Sequence, residues 1–197
     1  IFIVLAPALG LFLGFLLKIL ISWLIYKQKP AAINKWSRII RLFSAAAYSL
    51  GHGGNDAQKT MGIITSLLVA GGLQTSFDVP LWVVLSAQAA IALGTLSGGW
   101  RIVKTMGQKI TKLTTVDGFC AEAAGAISIF TATHLGVPVS TTHVITGAIS
   151  GVGAVRRLTA VRWGITLRIV WAWIFTIPAA GLIAGLLYMI LRLFLPD

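Results

Sequence analysis

Only five of the 197 side chains are carboxylic acids, and only one is a thiol. The lone Cys120 excludes an internal disulfide and reads as a small packing residue. Charge of either sign is scarce: 11% of the residues are charged, against 57% hydrophobic. Soluble domains carry about 25% charged residues, so this chain lacks the material for a wetted surface. With a mean hydropathy of +0.89, it reads as a chain dissolved in a bilayer. Catalytic motifs are missing as well. There is no HExxH and no GxSxG, and the few acids have no nucleophile–base partner in sequence, which argues against an intramembrane enzyme.

What is plentiful is basic charge, with 16 Lys and Arg giving a net charge of +11. These residues sit in clusters between long apolar runs, not on one solvent-facing surface. That placement argues against nucleic-acid binding and for basic loops of a membrane protein. The chain opens Ile1-Phe2-Ile3-Val4. With no basic n-region it does not read as a cleaved signal peptide, and without an initiator Met it reads as cut from something longer.

Apolar runs are expected at residues 1–25, 43–73, 81–100 and 164–195, the last with a kink at Pro178. Each is long enough to cross a hydrocarbon core of about 30 Å. Lys18, inside the first run, is expected to snorkel or to face the bundle interior. Residues 34–42 place Trp36, Ile39 and Ile40 at helical spacing among Lys35, Arg38 and Arg41, the pattern of an interfacial helix. Residues 118–134 and 141–155 form two short arms rich in Ala, Gly, Ser and Thr, joined through Pro138. They read as a re-entrant helical hairpin. The basic clusters at 27–41, 101–112 and 156–168 all fall on one side under the positive-inside rule, the cytoplasm. Small-xxx-small pairs at Gly10/Gly14, Gly94/Gly98, Gly147/Gly151 and Gly181/Gly185 point to a packed bundle.

Two stretches carry the chemistry. In Gly51-His52-Gly53-Gly54-Asn55-Asp56-Ala57-Gln58-Lys59, three glycines in four positions predict a broken helix. Asn55 or Asp56 would cap the second half, and its exposed N–H groups would favour an anion. Asn55, Asp56 and Gln58 add oxygens suited to a small hard cation or a hydrogen-bonded anion. Lys59 shares a face with Asp56, to pair with it or to meet an anion. A nucleotide loop is one residue away, but Gln58 stands where the second glycine is required. In Pro138-Val139-Ser140-Thr141-Thr142-His143, Ser140 or Thr141 would cap a second helix start, and His143 is placed to carry a proton. Of the two acids near the hairpin's start, Asp117 reads as a cap. Glu122 reads either as a coupling-ion group or as an interhelical hydrogen-bond partner. Broken half-helices that meet at the midplane are where inverted-repeat transporters hold substrate.

The two stretches, Gly-His-Gly-Gly-Asn-Asp-Ala-Gln and Pro-Val-Ser-Thr-Thr-His, resemble the paired signatures of the PiT inorganic phosphate transporters. The resemblance covers nearly the whole chain and is nearest to bacterial low-affinity members. It implies an all-α, multi-pass protein of the inner (plasma) membrane, one 1–197 transporter domain that forms half of an inverted repeat. It implies symport of inorganic phosphate, free or complexed with a divalent metal, with H+ or Na+ and no bound cofactor. The phosphate and cation site would draw on Asn55, Asp56 and Gln58 with Ser140, Thr141 and Thr142. Only one copy of each motif is present, so an N-terminal half with the second copies is expected as a partner, together with homodimerisation. The rival readings are a transporter of a related oxyanion such as sulfate, and a non-transporting membrane assembly subunit.

Overall fold

The computed structural model describes residues 2–194, apart from the side chains of residues 30, 101, 102, 193 and 194. Every regular element among them is helical. In order they are α1 (Phe2–Leu24), α2 (Pro30–Ala70), α3 (Leu81–Lys104) with a π-helical extension (Thr105–Ile110), α4 (Thr115–His134), α5 (Thr141–Arg156), a 3-10 turn (Leu158–Ala160) and α6 (Trp163–Phe194). Elements up to Val161 make one compact unit, and α6 makes a second. Among the described residues, three helical stretches are long and apolar enough to cross a membrane: Phe2–Leu24, Leu81–Ile110 and Trp163–Arg192. Most of the large apolar side chains along α6 are exposed, Trp173 being buried, as suits a helix whose solvent is lipid. Pro178 lies inside it.

The expected break in the second run does not occur. α2 continues for 41 residues through Gly51–Asp56 and absorbs the expected interfacial segment at 34–42. No residue of α2 has a positive φ, and Asn55 and Asp56 are interior helix positions, not caps. Glycine in a helix costs up to about 1 kcal/mol relative to alanine. An opened backbone in a membrane leaves N–H and C=O groups unsatisfied at several kcal/mol each, so the unbroken ladder wins. Gly51 also has a packing use, since a Cβ there would sit 3.3 Å from Ile129 and 3.5 Å from Phe130 of α4.

A helical hairpin forms where one was expected. α4 and α5 pack together, and Gly136 supplies the left-handed turn at φ 68°. Thr114 caps α4 in a reciprocal capping box with Asp117. Arg156, at the end of α5, reaches back to Asp117 Oδ2 (2.7 Å) and Thr114 Oγ1 (3.2 Å). The hairpin's open ends are therefore clamped together, with the tip at the far end. Lys18 is buried and lies 2.8 Å from Asp117 Oδ1, the interior alternative of its two readings. Arg41 meets Glu122 at this same end, so residues of the first and third basic clusters gather there.

Two of the four small-residue pairs meet one another. A Cβ on Gly10 or Gly14 would overlap the α5 backbone at Val144 and Ala148, and one on Gly147 or Gly151 would overlap the α1 backbone at Pro7 and Leu11. This zipper fixes α1 against the hairpin. Gly94/Gly98 and Gly181/Gly185 face open space among the described residues.

Candidate functional site

The polar stretch of α2 lies against the hairpin tip. Successive helical steps from Tyr48 to His52, Asp56 and Lys59 put these four side chains on one stripe of α2. The Tyr48 and His52 rings stack, with centroids 6.1 Å apart and planes 4° from parallel. Across from them stands the start of α5. Thr141 Oγ1 donates to Asp56 Oδ2 at 3.1 Å and lies 2.8 Å from His52 Nδ1. His52 Nδ1 is itself 3.2 Å from Asp56 Oδ2. Tyr48 donates its hydroxyl to the Thr141 carbonyl at 3.4 Å. The other carboxylate oxygen, Asp56 Oδ1, accepts from Lys59 Nζ at 3.0 Å. Lys59 also donates to the Val139 carbonyl of the hairpin linker. Both oxygens of Asp56 are thus engaged, and two sequence-distant segments are stitched into one cluster.

Beside the cluster is a polar cavity of about 270 Å³ lined by Asn55, Gln58, Lys59, Thr133 and residues 136–138 of the tip. Asn55 is only 5% exposed. Its Nδ2 donates to Thr133 Oγ1 at 3.0 Å, while its Oδ1 is buried without a hydrogen-bond partner among the described residues. A buried acceptor left open costs roughly 1–3 kcal/mol, so Asn55 Oδ1 is a polar group that the described residues leave unsatisfied. A larger cavity of about 530 Å³ is bordered by Tyr48, His52, Thr142 and the α3 glycines Gly94 and Gly98.

Of the residues singled out in the sequence, Asn55, Asp56, Gln58, Lys59, Thr141 and Thr142 border this cluster or its cavities. Ser140 occupies the N-cap position of α5, but its hydroxyl makes no capping bond. Thr141 does not cap either, because its hydroxyl is turned to Asp56. His143 is half-buried on the first turn of α5. Glu122 is not brought to the cluster. It accepts from Arg41 Nε (3.2 Å) and Ser44 Oγ (2.8 Å). From Glu122 to Thr133 along α4 is roughly 16 Å. Its interhelical alternative is the one realised. His52, Thr133 and Tyr48 join the cluster without having been expected there. The i, i+4 step from His52 to Asp56 was the available signal, hidden by the expectation that the helix broke between them. Among the described residues no group of three or more His, Cys, Asp or Glu side chains is placed to hold a metal ion.

Comparison with known proteins shows the family to which the chain is related. Residues 1–184 match the phosphate transporter family. The chain is 60% identical to a probable low-affinity inorganic phosphate transporter of Rhizobium meliloti, over 94% of this chain and 56% of the relative. It is 42% identical to one of Bacillus subtilis, over 97% and 58%. A solved structure, "The sodium-dependent phosphate transporter", superposes with a TM-score of 0.75 at 28% identity, over 98% of this chain and 56% of that one. The chain therefore spans a little over half the length of these proteins.

Proposed function

The chain belongs to the phosphate transporter family, and from that premise we propose that it forms part of a secondary transporter carrying inorganic phosphate across the inner membrane in symport with H+ or Na+. The observation that carries this reading is the meeting of the two polar segments, Thr141 on Asp56 and Lys59 on Val139, beside a cavity bordered by Asn55, Gln58, Lys59 and Thr133. Phosphate would occupy the cavity against Lys59, Gln58 and Thr133, with the hydroxyls of Ser140, Thr141 and Thr142 and the N–H groups that start α5 completing its shell. His143 stands on that same turn. A metal–phosphate complex is the alternative cargo. The hairpin would be re-entrant, its clamped base cytoplasmic and its tip at membrane depth. A second repeat bearing the other copies of the motifs would close the site, and two such transporters would pair as a homodimer.

The need for a coupling cation follows from charge. Phosphate near neutral pH carries between one and two negative charges, and Asp56 adds another. Like charges 4 Å apart repel by about 4 kcal/mol at an effective dielectric near 20. A helix N-terminus returns only about 0.3–1 kcal/mol. Lys59 offsets part of the Asp56 charge, and protonation or cation compensation of the remainder would control whether phosphate binds, which makes Asp56 the coupling group. Asp56→Asn in the full-length transporter is expected to abolish gradient-driven phosphate accumulation in proteoliposomes while the protein stays inserted. Uphill uptake with an unchanged cation dependence would contradict that role.

A further inference from the structure

Lys59 is bonded in the manner of a bound cation. Its ammonium sits between a carboxylate oxygen, Asp56 Oδ1 at 3.0 Å, and a backbone carbonyl oxygen, that of Val139. Carboxylate and carbonyl oxygens are the ligands that hard metal cations take. The second Asp56 oxygen is occupied as well, by Thr141 and His52. A sodium ion arriving here would find both Asp56 oxygens already engaged and would compete with Lys59 for Oδ1. The side chain carries the same single positive charge as sodium. Because it is tethered at the wall of the cavity it shares with Asn55, Gln58 and Thr133, it needs no gradient to stay there.

We propose that Lys59 is a resident cation that takes the place of sodium beside Asp56 and makes phosphate uptake by this transporter independent of Na+. The proposal rests on the phosphate-transport reading and narrows it, since a site that already holds its own fixed monovalent charge leaves the proton as the travelling one. Lys59 is then a specificity-determining residue for the coupling ion. Its bond to Val139 also ties α2 to the hairpin tip. An ion-dependent version of the site would lack this tie whenever the ion was absent.

The test is uptake of radiolabelled phosphate by the full-length transporter in proteoliposomes under an inward pH gradient, with sodium present or replaced by choline. Wild-type uptake is expected to be the same in both media. Lys59→Ala opens room for an ion, and is expected to lose about tenfold or more of uptake in choline, the scale of a lost charge-assisted hydrogen bond, and to recover part of it in sodium. Lys59→Arg is expected to remain sodium-independent. Collapse of wild-type uptake in choline would overturn the proposal, and that arm needs no variant to fold. So would Lys59→Ala uptake in choline equal to wild type, or a loss that sodium does not restore in correctly inserted protein. Absence of wild-type phosphate uptake under every ion gradient would instead sink the transport reading.

Discussion

Asp117 shows how few charges this chain spends and how heavily each is used. It is 2% exposed, and its carboxylate serves the α4 cap through Thr114, the buried Lys18 of α1 and Arg156 of α5. Removing one partner of a buried ion pair strands the other, at about 3–5 kcal/mol. Asp117→Ala is therefore expected to lower stability by that order, read as thermal unfolding of purified protein in detergent. The double change with Lys18→Met should be milder than Asp117→Ala alone. Equal or additive losses would deny the pairing. At this scale the sequence was informative about residue type and much less so about partners. A polar or ionisable group inside an apolar run stands out, so Asp56, Lys59 and Asn55 could be singled out from the sequence. Whether Glu122 joined them depended on which α2 residue lay opposite, and nothing local encodes that Arg41 and Ser44 do.

Among the helices, α2 and the hairpin make the instructive contrast. Pro138, the flanking Gly136 and the hydroxyl-rich start at 140–142 located the hairpin turn, because proline and left-handed glycine have local backbone consequences. The glycines of 51–54 misled, since a glycine serves a break and a close helix contact equally well. Only the neighbour decides which. The same residue type should then respond in opposite ways by position. A methyl group added at Gly53 would meet nothing within 4 Å, whereas one on Gly147 would strike the Pro7 backbone. Gly53→Ala is expected to stabilise by about 0.5–1 kcal/mol, the ordinary helix gain. Gly147→Ala should destabilise by about 1–3 kcal/mol, the range for overpacking. Thermal melts of the two variants check this, and destabilisation by Gly53→Ala would argue that α2 is broken there after all.

Over the whole molecule, the arrangement depends on bringing together segments that are distant in sequence, by 80 residues for Lys59 and Val139 and by 85 for Asp56 and Thr141. The α1–α5 glycine zipper and the Asp117 clamp hold the hairpin at one end, and the Lys59–Val139 and Thr141–Asp56 bonds hold its tip against α2 at the other. The two motifs were legible as separate signals, and their convergence was legible only by analogy, from how inverted-repeat transporters hold substrate and from the family resemblance, because long-range pairing leaves no periodicity to read. If they form a single phosphate site, their contributions to binding must be coupled. The most direct measurement is a double-mutant cycle on phosphate affinity in the reconstituted full-length transporter, using Asp56→Asn, Thr141→Val and the pair. A coupling energy of about 0.5–3 kcal/mol is expected for groups in direct contact. Strict additivity of the two substitutions would contradict a shared site.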